Sequence, residues 1–147
     1  MSLWDWTLKA YARPGAPEAC LSLQDDHGQN TSFLLWAVWA EAADPDVLAR
    51  AADLAHRWEA LALVPIRNLR RALKPAFDGV DDGERVRLRE EVKAVELRTE
   101  RVLMEALEAM TGEHGGAHAL AALEAASGAW GTPAPANALA ALAAALG

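Results

Sequence analysis

The 147-residue sequence predicts an all-α, single-domain helical bundle of about six to eight helices. Apolar residues recur at the three- and four-residue spacing of amphipathic helices, and no stretch shows the alternation of a half-buried strand. Capping residues, prolines and glycines divide the chain at short intervals. The composition, 52% apolar and 24% charged, is typical of one folded globular domain.

The first two helices are separated by a proline- and glycine-rich turn. Ser2 is a suitable N-cap for a helix that runs to about Ala12. Pro17 suits the first position of the second helix, where a missing N–H does no harm. Gly28 suits the left-handed position that closes that helix.

The third helix is the predicted centre of the core. Asn30 or Thr31 caps it, and the stretch 33–40 is apolar on nearly every side. Asp44 and Pro45 pair a good N-cap with a proline at the first helical position, so a fourth helix begins there.

Pro65 is expected to interrupt or kink the fourth helix. A short amphipathic segment follows from Ile66 to about Lys74, before Pro75 and Gly79 end it. Its apolar face carries Ile66, Leu69 and Leu73, and its basic face carries Arg67, Arg70, Arg71 and Lys74.

One long helix is predicted near 84–110, with Asp81 and Glu84 at capping-box spacing. An apolar stripe follows at steps of four and three: Leu88, Val92, Val95, Thr99, Val102 and Ala106. Such a stripe seats a bundle helix or forms a coiled-coil seam. With a single long helix in the chain, the bundle is favoured.

The composition changes after residue 111. Residues 112–147 hold 15 alanines and neither lysine nor arginine. Helices are predicted over 117–126 and 136–146, with glycines and prolines between them. We therefore expect a helical core over 1–111 and an Ala/Gly-rich tail that packs loosely on it.

The densest polar cluster lies between the second and third helices: Gln24, Asp25, Asp26, His27, Gln29 and Asn30. Helix ends need such groups to satisfy free backbone donors and acceptors, and this is the favoured interpretation. The alternative is a functional site in which His27 is a general base or ligand, oriented by Asp25 or Asp26.

The basic face of the 66–74 segment is the second cluster, and its members share one side of a helix: Arg67, Arg70, Arg71 and Lys74. Guanidinium groups there would bind a phosphate, an acidic peptide or a carboxylate. The favoured alternative is internal pairing, either with Glu96 and Glu100, four residues apart on the long helix, or with the acidic N-terminal half of the chain.

No metal, cofactor or catalytic motif is predicted. His114 and His118 are four apart beside Glu113, but Gly115 stands where a zinc protease helix needs glutamate. Trp4 and Trp6, two residues apart, cannot both face inward from one helix, so one is expected at a rim or an interface.

Charge and cysteine content exclude several classes of protein. The net charge of −7 disfavours nucleic-acid binding. The longest apolar runs fall short of the roughly 20 residues that span a bilayer. The N-terminus lacks a secretory pattern, and the single cysteine suits a reducing compartment. We expect a cytoplasmic protein that binds neither nucleic acid nor membrane.

A set of residues within about the first 110 positions carries a resemblance to a known family: Leu3, Trp4, Tyr11, Gly15, Cys20, Leu21, Leu23, Gln24, Asp25, His27, Gly28, Asn30, Leu34, Leu35, Trp36, Trp39, Pro65, Arg67, Leu69, Arg70, Arg71, Leu73, Lys74, Glu96, Leu97 and Glu100. In these residues the chain resembles an uncharacterised family of small proteobacterial all-helical proteins, a domain of unknown function. The resemblance implies a bacterial protein but no activity.

The favoured function is a non-enzymatic helical protein that binds a protein partner or itself. An exposed aromatic rim, the basic face or the tail would supply the surface. The alternative is a small anionic-ligand or enzymatic site in which the 24–30 junction meets the 67–74 arginines across the bundle. The residues of that site would be Gln24, Asp25, His27, Asn30, Arg67, Arg70, Arg71 and Lys74.

Overall fold

The computed structural model describes residues 1–111 and 117–147, and these ranges form eight α-helices and no strand. The all-α prediction is therefore confirmed. The bounds are α1 Leu3–Tyr11, α2 Ala16–Asp25, α3 Thr31–Trp39, α4 Pro45–Trp58, α5 Val64–Ala72, α6 Asp82–Glu108, α7 Ala119–Trp130 and α8 Ala136–Leu146.

Four helices begin at the N-caps that the sequence indicates. The N–H of Asp5 donates to Ser2 Oγ, and that of Phe33 to Asn30 Oδ1. In the same way, the carboxylate of Asp44 caps α4 by accepting a hydrogen bond from the N–H of Asp46, and the carboxylate of Asp81 caps α6 by accepting one from the N–H of Glu84. After α2, Gly28 adopts a left-handed φ of 64°, as the closing position requires.

The α3 helix is the centre of the core, as predicted. Its residues 31–37 are all buried, and α1, α2, α4, α6 and α7 pack around it. The rings of Phe33 and Trp36 lie 5.7 Å apart, and Trp130 of α7 lies 5.6 Å from Phe33.

Pro65 changes the hydrogen-bond pattern without ending the helical path. The five residues Glu59–Leu63 form a π-helix between α4 and α5, with the N–H of Val64 donating to the Glu59 carbonyl. The wider turn accommodates the proline, which lacks an N–H and crowds the carbonyl four residues earlier.

The α6 helix packs on the bundle only along its second half. Thr99, Leu103 and Leu107 are buried, whereas Leu88 and Val95 are 47% and 54% exposed. The predicted stripe is thus only partly covered, because the first half of α6 has α5 as its neighbour.

The tail helices pack more closely than their composition predicts. Leu123, Ala126 and Leu142 are fully buried, and α7 and α8 contact α2, α3 and α4. Small alanine side chains let helix backbones approach closely, so burial does not require many large residues. Ser127 Oγ also donates to Gln29 Oε1, which links the tail to the α2–α3 junction.

Within the described ranges, no helix combines the length and apolar content needed to cross a membrane.

Candidate functional site

The two polar clusters meet in part. A groove of about 190 Å³ lies between the end of α2 and the outer side of α5. Arg71 Nη2 lies 3.6 Å from Asp25 Oδ1, and both side chains are substantially exposed. The groove is lined by Gln24, Asp25, Val64, Arg67, Asn68 and Arg71.

Arg67 is the buried centre of this region. Only 7% of the residue is exposed, and its guanidinium lies among three carboxylates. Its nitrogens are 3.6 Å from Glu59, 3.5 Å from Glu96 and 3.6 Å from Glu100. Arg67 and Arg70 of the basic face therefore point inward, whereas Arg71 and Lys74 are exposed. Leu69, on the face expected to be apolar, is 48% exposed.

Two further side chains extend the ion pairs into a network. Arg70 Nε donates to Glu96 Oε2 at 2.5 Å. Asn30 Nδ2 donates to Glu59 Oε1 at 3.4 Å while its Oδ1 caps α3. Asn30 is thus both a helix cap and a link between the α2–α3 junction and Arg67, which joins the two clusters through Glu59.

The buried network carries an excess of negative charge. Its three glutamates face two arginines, Arg67 and Arg70, which leaves a formal charge of −1. Burial raises the pKa of Glu59 and of Glu100 above the ordinary carboxyl value, and attraction to Arg67 offsets this only in part.

This charge arrangement does not favour an anion. Arg67 is already surrounded by carboxylates, and Arg71 is paired with Asp25, so a bound phosphate would have to displace protein carboxylates. The internal pairing favoured from the sequence accounts for the positions of Arg67 and Arg70.

His27 and Lys74 lie outside the groove. His27 lines a separate pocket of about 280 Å³ with His56 and Trp130. His56 stacks on Trp130 at 3.5 Å between ring centroids, and its Nε2 lies 2.7 Å from the Trp130 carbonyl oxygen. Lys74 is exposed just beyond α5, where its carbonyl accepts from Arg85.

The metal candidate cannot be placed in full, because Glu113 and His114 lie outside the described residues. Among the residues that are described, no group of three metal-ligating side chains comes together.

Both tryptophans of the first helix, Trp4 and Trp6, are partly buried at the edge of the core. Trp6 lines a cavity of about 530 Å³, with Trp39, Arg13 and Glu41 on other walls. Arg13 donates to the Leu146 carbonyl there. Trp4 has the guanidinium of Arg101 5.5 Å from the centre of its ring.

A further surface is formed by α5, the linker that follows it and the first half of α6. We call residues 64–97 the arm: they comprise α5, the linker and the first half of α6. Eight of the fourteen exposed large hydrophobic residues of the described chain lie on it: Val64, Leu69, Phe77, Val80, Val86, Leu88, Val95 and Leu97.

The two helices of the arm are antiparallel. Arg67 lies near the start of α5 and contacts Glu100, which lies in the second half of α6. Leu73, just past the end of α5, accepts a hydrogen bond from Arg85, early in α6. These contacts fix which sides of α5 and α6 face each other, and so define two flanks of the arm.

One flank of the arm faces the end of α2 through Arg71, and Val64, Val86 and Leu97 are exposed on this side. The opposite flank is lined by apolar residues of both helices. The helical positions on this second flank are 66, 69 and 73 of α5 and its extension, together with 88, 92 and 95 of α6. We call this surface the apolar face: Ile66, Leu69, Leu73, Leu88, Val92 and Val95. The coiled-coil alternative for α6 was the sequence signal that could have found it.

A family model described as "Protein of unknown function (DUF2390)" matches residues 2–107. This range includes the ion-pair network and the arm, and it ends before α7. No curated protein and no solved structure matches the chain.

Proposed function

The chain belongs to the DUF2390 family, whose description gives no activity, and we propose that it is a non-enzymatic protein that binds proteins through the apolar face of its arm. The observation that carries this proposal is the exposure of Leu69, Leu88 and Val95, which are 48%, 47% and 54% accessible on one flank.

The size of the face supports protein binding. Sixteen residues of α6 extend about 24 Å and residues 64–73 extend about 15 Å, and each helix is about 10 Å wide. The resulting face of roughly 400 Å² is within the range of the largest apolar patch on a monomeric protein, which is often a functional surface.

Two of the surfaces considered from the sequence, the basic face and the tail, support binding less well. Arg67 and Arg70 are occupied by carboxylates, and the tail helices bury Leu123 and Leu142 in the core. Neither leaves the concentrated charge or apolar surface that a partner would recognise.

The small anionic ligand remains a second candidate, because Asp25, Arg67 and Arg71 line one groove. Inorganic phosphate is the simplest probe. A rise in unfolding temperature with phosphate that Arg71→Ala abolishes would support this candidate, and an equal response in both proteins would reject it.

We also infer a bacterial, cytoplasmic setting. Cys20 is buried as a free thiol, which suits a reducing compartment, and the bacterial source rests on the family resemblance.

Site-specific photo-crosslinking tests the proposed function. A photoreactive residue replaces Leu88 in the full chain, and Leu8 is the matched control because it is 51% exposed on α1, away from the arm. In bacterial cells, position 88 should yield a discrete protein adduct that position 8 does not. Equal adducts at both positions, or none at position 88, would reject the proposal.

A further inference from the structure

We propose that the occupant of the apolar face is a second copy of this chain, whose α6 lies antiparallel to the first across a two-fold axis near Val92. The inference rests on the proposed function and specifies the partner. In this arrangement, Leu88 of each copy packs against Val95 of the other, and Glu84 of each copy faces Arg98 of the other.

The first support is the self-complementary spacing of the apolar side chains. Leu88 and Val95 are seven residues apart and lie on one side of α6, with the buried Val92 between them. An antiparallel two-fold axis between 91 and 92 brings position 88 opposite position 95 in both halves of the interface. Such an isologous contact closes as a dimer.

The second support is the order of charges along the outer edge of the apolar face. Glu84, Glu91 and Arg98 follow each other at seven-residue steps, so they share one side of α6. Arg98 forms no ion pair within the described ranges. The only ion pair of the Glu84 carboxylate there is with Arg87, at 3.9 Å between two largely exposed side chains. Both charges are therefore available to a partner.

This charge order selects the antiparallel arrangement. A parallel copy would place Glu84 against Glu84 and Arg98 against Arg98, and both contacts are repulsive. An antiparallel copy pairs Glu84 with Arg98 twice, and the only like-charge contact is at Glu91, near the axis.

The available area indicates a weak dimer. Two faces of roughly 400 Å² each give an interface of about 800 Å², below the standard size for stable complexes and in the range of weak association. We expect dissociation in the micromolar range, about 1–100 μM.

Charge reversal distinguishes this geometry from other dimers. Positions 84 and 98 are about 21 Å apart along one helix, too far to pair within one copy. Glu84→Arg alone and Arg98→Glu alone should each weaken association about tenfold. The double variant should restore it, and Glu91→Gln should strengthen it by removing the repulsion at the axis.

Sedimentation equilibrium of the full chain from about 1 to 200 μM measures these changes, with circular dichroism to verify folding. Arg50→Glu, a reversal of an exposed charge on α4, is the matched control and should leave association unchanged. A wild-type protein that stays monomeric throughout, or a dimer that the single reversals do not weaken, would overturn the inference. A monomer whose position 88 crosslinks to a different protein in cells would reject the second copy and leave the proposed function in place.

Discussion

Replacement of Arg67 by alanine is expected to destabilise the fold severely, because the side chain is the buried counter-charge of three glutamates. The residue is 7% exposed, and its nitrogens lie 3.5–3.6 Å from Glu59, Glu96 and Glu100. Removing one partner of a buried ion pair costs about 3–5 kcal/mol. Arg70 still neutralises Glu96 in the variant, so we expect a loss near the lower end, about 3 kcal/mol.

The matched control is Arg71→Ala, four residues further along α5. Its side chain is 57% exposed and lies 3.6 Å from a 41% exposed Asp25. Exposed pairs of this kind contribute about 0–1 kcal/mol. Urea unfolding at pH 7, followed by circular dichroism, gives the free energy of unfolding of both variants. A loss below about 1 kcal/mol for Arg67→Ala, or equal losses in the two variants, would refute the assignment of Arg67 to the core network.

Three further predictions follow from buried polar groups. The pKa of Glu100 is higher in the folded state than in the unfolded chain, so protonation of this carboxyl stabilises the fold. This contribution is fully present below the pKa of the unfolded chain and is lost as the pH rises through the pKa of the folded state. Wild-type protein should therefore gain more stability between pH 7 and pH 5 than Glu100→Gln, and equal gains in thermal midpoint would contradict this. Burial raises the pKa of Cys20 to about 11, so a disulfide reagent at pH 8 should modify the native thiol at least about a hundredfold more slowly than the urea-unfolded thiol. Comparable rates would show an accessible thiolate. Ser127→Ala removes the partner of Gln29 and of the Ala134 N–H. It should lower the free energy of unfolding by about 1–3 kcal/mol, and an unchanged urea midpoint would mean that the tail is not bonded to the junction.

The helix boundaries could be predicted because capping is local. Asn30 and Asp44 accept hydrogen bonds from backbone N–H groups two or three residues later, and sequence spacing alone defines that geometry. The packing of the alanine-rich tail was less predictable, since large side chains are a poor guide where small residues allow close approach. Ala122 and Ala126 are both fully buried.

The side of α5 that faces the protein interior could not be predicted from the sequence of α5 alone. Its spacing separates an apolar side at Leu69 from a basic side at Arg67, but either side could have faced inward. The outcome depends on Glu96 and Glu100, about 30 residues away on α6, which pair with Arg67. The candidate groove was predicted in part for the same reason: Asp25 and Arg71 meet, whereas His27 lies in another pocket.

The π-helix of Glu59–Leu63 also sets the rotation of α5 about its axis. A chain shorter by one residue in this segment would lose the wide turn that accommodates Pro65, and α5 would turn by about 100°. Asn68 would then occupy the angular position of Arg67, and Glu96 and Glu100 would face a neutral amide. A single-codon deletion here would therefore unpair the network while every charged side chain remained present, so the length of the segment matters as much as the identity of its residues.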